Sequence, residues 1–281
     1  MTDVVLKILC ENVKTLNKEP IMVWHDDVLT EKDKEILQKE ATAEGSFDKL
    51  HLKKNMYDAY VDGKAVAIVK KTDNARIVIL GTKQVFPWNT WARIFQWMGK
   101  PTSNVWQIYI YASPEQRVLP NEGPIGPEHL NGGYTFPCRS DSIVIYREEE
   151  STRVLIHELL HSACTDNHSL PVEQKEAATE TWAELFLIAL LAKGNLKKAK
   201  ELWRIQDHYI QDLNHSVRTF HNVNGPTDYG ARYTIMREEV FERLGMMKDK
   251  NYKAKRSTIS RFTSPQLDTY LSCYDINNYK K

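Results

Sequence analysis

Cysteine is scarce in this chain. Its 281 residues hold four, Cys10, Cys138, Cys164 and Cys273, widely separated and with no Cys-x-x-Cys pair among them. That usage points to mostly reduced thiols in a cytoplasmic protein, a secreted protein with two disulfides being the alternative. An excess of charge of either sign is also missing: 38 basic side chains against 37 acidic ones leave a formal charge of +1. No global field draws the protein onto nucleic acid or acidic lipid, so neither is expected as a partner, and recognition must be local. Long apolar runs are absent as well. Nothing approaches the roughly 18 residues of a membrane span. The opening segment Met1–Cys10 lacks the uninterrupted apolar core and small-residue cleavage site of a leader peptide.

What is present is enough for a substantial core. With 42% hydrophobic and 10% aromatic residues, the chain suits one medium-sized domain, or one with an appended subdomain. Residues 1–60 show little periodicity beyond a helix start at Thr30, where a capping residue precedes Glu31 and Asp33. Val66–Val69 and Arg76–Leu80 flank Thr72-Asp-Asn74, a hairpin signature. Trp91, Ile94, Phe95 and Met98 recur at helical spacing before Gly99. Val105–Tyr111 and Asp141–Tyr146 read as strands, with the glycine-bearing segment Asn131–Phe136 between them. Helices are expected over Thr152–Cys164, Pro171–Lys193, Leu196–Leu213 and Tyr229–Leu244.

The chemistry concentrates in Val154–His161, which contains His157-Glu158-x-x-His161. On a helix, positions four apart share a face, so two imidazoles can grip one metal ion. Glu158 projects beside that face, where a carboxylate serves as general base toward a water activated by the ion. The surrounding Val154, Leu155, Ile156, Leu159 and Leu160 mark a buried helix, and burying these three polar side chains without partners would be costly. A catalytic zinc site wants a third protein ligand and one open position. Glu180 follows nineteen residues after His161, on the next long helix, and an antiparallel pair of helices would bring it opposite the histidines.

Over roughly residues 105–190 this arrangement resembles the gluzincin class of zinc metallopeptidases, which includes thermolysin-like enzymes and zinc aminopeptidases. The resemblance implies Zn2+ held by His157, His161 and Glu180, with Glu184 as the carboxylate that orients His157. Glu173, Glu176, Glu180 and Glu184 form a nearly continuous acidic line, so the choice of Glu180 rests on spacing, and Glu176 is the fallback. The chain departs from the class in lacking the Gly-Ala-Met-Glu-Asn segment of the aminopeptidases and the Asn-Ala substrate strand of thermolysin. Asn131, Gly132 and Gly133 occupy a comparable place and are candidates for a cleft edge that pairs with an extended peptide, an ordinary glycine turn being the alternative. Metzincin spacing fails: Cys164 and Asn167 stand where Gly and His belong, and His168 is one position late. Asp228 lies too far downstream for the aspzincin pattern.

Peptide hydrolysis also needs a donor for the developing oxyanion. Tyr229 and Tyr233, four apart on a helix that Thr227 could cap, are the candidates, with Arg232 beside them and His221 upstream. Cys164 is expected as a buried thiol, and the basic run Lys248–Arg256 as a solvated loop. The expected architecture is an α+β, zincin-like catalytic domain over residues 61–194, with a mixed, mostly parallel sheet and an active-site helix. An N-terminal extension (1–60) would precede it, and a helical C-terminal subdomain (195–281) would close the cleft. The implied function is a zinc-dependent peptidase acting on a peptide or protein. The alternatives are a catalytically silent zinc-binding interaction protein and a zinc hydrolase of another bond. Oligomeric state is left open.

Overall fold

The computed structural model describes residues 2–83, 85–102, 105–141, 143–247 and 256–276, except for the side chains of 2, 3 and 272–276. Cys273 and the basic run up to residue 255 therefore lie outside the described side chains. Along the chain run helix α1 (Thr2–Leu16), strand β1 (His25–Asp26), helices α2 (Glu31–Thr42) and α3 (Leu52–Val61), and strands β2 (Val66–Lys71) and β3 (Ala75–Gly81). Next come helix α4 (Trp88–Met98), strand β4 (Trp106–Tyr111), the short helix α5 (Pro127–Leu130), and strands β5 (Gly133–Tyr134) and β6 (Ile143–Ile145). Helices α6 (Ser151–Ser162), α7 (Val172–Leu191) and α8 (Leu196–His221) follow, then a 3-10 helix (Tyr229–Tyr233), α9 (Ile235–Arg243) and α10 (Pro265–Ile276). About half of the chain is helical and the rest is organised around one mixed sheet.

Two compact units emerge, one of residues 1–20, 117–130 and 166–281, the other of 21–116 and 131–165. The boundaries expected after residues 60 and 194 fall inside these units. The reason is packing: α2 and α3 join the sheet they cover, and α7 joins α1, α8 and α9.

The sheet unit has strand order β1-β2-β3-β4-β6-β5. Only the β3–β4 and β4–β6 junctions are parallel. The other three are antiparallel, so the sheet is mixed but not mostly parallel. The β2–β3 hairpin forms where the sequence signals it, its turn closed by Thr72, whose hydroxyl accepts from the backbone of Asn74 and Ala75. Alternation along the strands assigns each face. Val78, Leu80, Tyr109, Tyr111, Val144 and Tyr146 pack with Leu37, Ala41, Leu52 and Met56 of α2 and α3. Ile77, Ile79, Ile108, Ile110, Ile143 and Ile145 are fully buried on the opposite face. That face carries α6, and α4 is tied to α6 by the Trp91 indole N–H, which donates to Thr152 Oγ1 at 3.0 Å. Helix α2 begins at a capping box between Thr30 and Asp33, and Asp33 also pairs with Arg76 of β3 at 2.7 Å.

The helical unit is organised by α7 and α8. Ala199, Leu202, Trp203, Gln206, Ile210, Leu213 and Val217 make one buried stripe on α8. Gly194 turns the chain between the two helices at φ 72°, where a β-carbon would stand 2.6 Å from the Cys10 carbonyl oxygen of α1. Only glycine meets both demands. The expected helix over 229–244 is in fact two pieces, a 3-10 turn and then α9, with no side-chain cap at the 3-10 start.

Candidate metal centre

Helix α6 presents His157, Glu158 and His161 as buried side chains, each less than a tenth exposed. Its fourfold spacing brings the two Nε2 atoms to 3.0 Å, with ring centroids 4.6 Å apart and the planes at 75°. Nitrogens bound at about 2.0–2.1 Å to one tetrahedral zinc lie about 3.3 Å apart. The observed separation thus suits one shared cation as well as one shared proton, and the histidine pair fits zinc.

Three backbone donors finish the far end of α6. The amides of Cys138 and Cys164 both donate to the His161 carbonyl, at 3.1 Å each, and Thr165 N–H donates to that of Leu160 at 3.3 Å. Cys138 and Cys164 themselves form a disulfide with Cα atoms 4.6 Å apart. This corrects the expectation of reduced thiols and of Cys164 as a buried one. The bridge is exposed and requires the chain to return 26 residues later, which spacing alone does not reveal. Cys10 remains a buried thiol whose pKa burial raises, leaving it inert.

The segment Asn131-Gly132-Gly133 lies where an edge is needed. Strand β5 is the last of the sheet and runs antiparallel to β6, with Gly133 opposite Ile145 and Tyr134 opposite Val144. Tyr146 N–H donates to the Gly132 carbonyl at 2.8 Å. Partner-facing groups alternate along an antiparallel ladder, so the N–H and C=O of Gly133 point away from β6 to the open edge. On its other side Gly133 meets α6: a β-carbon there would stand 2.7 Å from Val154 Cγ1 and 3.4 Å from Glu158 Oε1. Asn131 is buried, and its carbonyl accepts from Arg147 Nε at 2.9 Å.

The remaining candidates belong to the helical unit. Glu173 pairs with Arg232 at 3.3 Å, and the Arg232 guanidinium stacks 5.0 Å from the Tyr229 ring centre and 6.0 Å from that of Tyr233. The two tyrosine rings lie 5.8 Å apart. Burial, reinforced by the Glu176 carboxylate, holds the Tyr233 hydroxyl well above its ordinary pKa. Tyr233 is therefore a neutral donor across the physiological range. Glu180 and Glu184 are both buried. Oε2 of Glu184 accepts from Thr263 Oγ1 at 3.2 Å and lies 3.8 Å from the buried Arg237, partners that the acidic spacing on α7 does not announce. Asp228 closes its own loop, accepting from the amides of Asn224 and Gly225.

No family model matches the chain, and no curated protein or solved structure matches it either. Among the described residues, no helix is long and apolar enough to cross a membrane.

Proposed function

We propose that this protein is a zinc-dependent peptidase of zincin-like architecture. The observation that carries the reading is the placement of Glu158 between two things a peptidase needs. On its own helix His157 and His161 converge to 3.0 Å, and beside it runs an edge strand whose Gly133 offers N–H and C=O outward.

In this reading His157 and His161 would hold the ion, with Glu180 or its rival Glu176 as the third ligand. A bound zinc supplies Lewis acidity, polarising a peptide carbonyl and making water a competent nucleophile. Glu158 takes the proton from that water and delivers it to the leaving amine. Gly133 aligns an extended peptide by ladder hydrogen bonds, while Asn131 and Gly132 hold the edge in place through Arg147 and Tyr146. Tyr233, or Tyr229 beside it, donates to the oxyanion. Glu184, anchored by Thr263 and Arg237, backs His157. The substrate is a peptide or protein. An exposed Cys138–Cys164 bridge suits an oxidising compartment better than the cytoplasm.

The test is metal content and peptide-library cleavage measured on wild type, Glu180→Ala, Glu176→Ala and Glu158→Gln. One zinc per wild-type chain is expected, weakened most by Glu180→Ala and retained without cleavage by Glu158→Gln. Wild type that is zinc-free when purified without chelators would sink the proposal.

A further inference from the structure

Strand β5 is only two residues long, too short for its ladder with β6 alone to fix where Gly133 sits. Its second residue supplies a further restraint, from the opposite face. Tyr134 points to the face opposite Gly133, as alternation demands, and its hydroxyl donates to the Glu40 carboxylate of α2. The same oxygen accepts from Lys53 Nζ of α3 at 2.8 Å. Lys53 closes the triangle with Glu40 at 3.7 Å and lies 4.9 Å from the centre of the Tyr134 ring. Phe47 stacks on that ring at 6.0 Å, and Tyr146 tilts against it at 6.4 Å.

The cluster joins charged groups around a buried lysine. The Lys53 side chain is 5% exposed. Burial lowers its pKa and the Glu40 and Asp48 carboxylates oppose that shift, while burial and then Glu40 raise that of Tyr134. The raised tyrosine fits a neutral phenol, which the geometry places between the Glu40 carboxyl and the Lys53 amine. A hydrogen bond to a charged partner is stronger and more directional than a neutral one, so the phenol has one favoured position. The cluster spans α2, α3 and the sheet edge, which makes residues 31–61 part of the edge's support.

We propose that Tyr134, held by Glu40 and Lys53, is the positioning residue that sets edge strand β5 against Glu158, so that the open N–H and C=O of Gly133 meet the substrate in one register. The catalytic consequence rests on the peptidase reading; the mechanical one does not. Tyr134 acts through Gly133 and touches neither metal nor scissile bond.

The experiment compares Tyr134→Phe and Lys53→Met with Tyr111→Phe in the full chain. Tyr111 is a matched control: its buried hydroxyl donates to the Leu37 carbonyl of α2 at 2.7 Å, but it sits on interior strand β4. Three quantities are read: amide exchange at Tyr146, whose N–H bonds Gly132; zinc stoichiometry; and KM and kcat on an extended peptide. For the two edge variants, Tyr146 exchange should quicken by about tenfold and KM should rise about fivefold with kcat within about twofold. Zinc should be unchanged. Tyr111→Phe should lower the melting temperature while leaving exchange at Tyr146 and KM at wild-type values. Edge variants that merely melt earlier, as Tyr111→Phe does, would overturn the positioning role. Should wild type cleave no peptide, the peptidase reading fails and the exchange contrast alone decides the role of Tyr134.

Discussion

A β-carbon on Gly133 would stand 3.4 Å from Oε1 of Glu158 and only 2.7 Å from Cγ1 of Val154, so edge strand and proposed base share one van der Waals boundary. Gly133→Ala must displace either the strand or the helix, since the Val144 carbonyl oxygen, 2.9 Å away, blocks the remaining direction. Overpacking of this kind costs about 1–3 kcal/mol. The expected outcome is that loss in urea unfolding, with a fall in peptide cleavage. Adding Val154→Ala should restore part of both, because it removes one of the two obstacles.

Tyr233 and Tyr229 are rival candidates for the proposed oxyanion donor and should separate on substitution. Removing a preorganised oxyanion donor costs about 10²–10³ in kcat. One of Tyr233→Phe and Tyr229→Phe should show that loss with KM nearly unchanged, and the other should not. Because burial, then Glu176 and Tyr229, hold the Tyr233 hydroxyl protonated, a Tyr233 donor would impose no decline in kcat as pH rises through 8 and 9. An activity limb in that range that vanishes in Tyr233→Phe would contradict the assignment.

Acid should find the Asp33–Arg76 pair. Burial pushes the Asp33 carboxyl up, but hydrogen bonds from Arg76 and Thr30 outweigh it and hold the group well below its usual range. A pKa depressed by folding contributes stability that is complete above the unfolded value, about 3.9, and that drains as pH falls below it. Asp33→Asn leaves the half-buried Arg76 guanidinium with Asp27 alone and should cost about 1.5–3 kcal/mol at pH 7. The gap between variant and wild type should narrow below about pH 4, which denaturant melts at several pH values would record.

Reduction of Cys138–Cys164 should loosen the end of the histidine helix. Closing 26 residues of sequence restricts the unfolded chain by about 3.5 kcal/mol in the loop-entropy account. Both half-cystines sit at left-handed φ, 63° and 58°, which offsets some of that gain. A net loss of about 2 kcal/mol is expected for Cys138→Ser/Cys164→Ser. Zinc affinity should also weaken, since the two amides that cap His161 are no longer tethered to each other. Peptide mapping without reductant should recover the linked pair directly.

The sequence-level signals were uneven for physical reasons. His157, Glu158 and His161 were legible because a helix converts a spacing of four into a shared face without outside help. The acidic line on α7 was legible as a pattern, whereas the Arg237 and Thr263 that engage Glu184 lie more than fifty residues further on. Helix α1 could have been found: Leu6, Leu9, Cys10, Val13 and Leu16 are its buried residues and recur at helical spacing. The glycines before Tyr134 suggested an edge, but nothing local pairs Tyr134 with Glu40, 94 positions away. The division into units was illegible for the same reason, because each unit draws on separated stretches of chain.

Both outermost strands of the sheet, β1 and β5, are two residues long. A long bare strand invites a second molecule to dock on it and grow a continuous ladder, the first step toward fibres. Here such a visitor would find a handful of hydrogen bonds before the chain turns away, too few to template another copy. The edge proposed to receive substrate is in this way kept from pairing with its own kind.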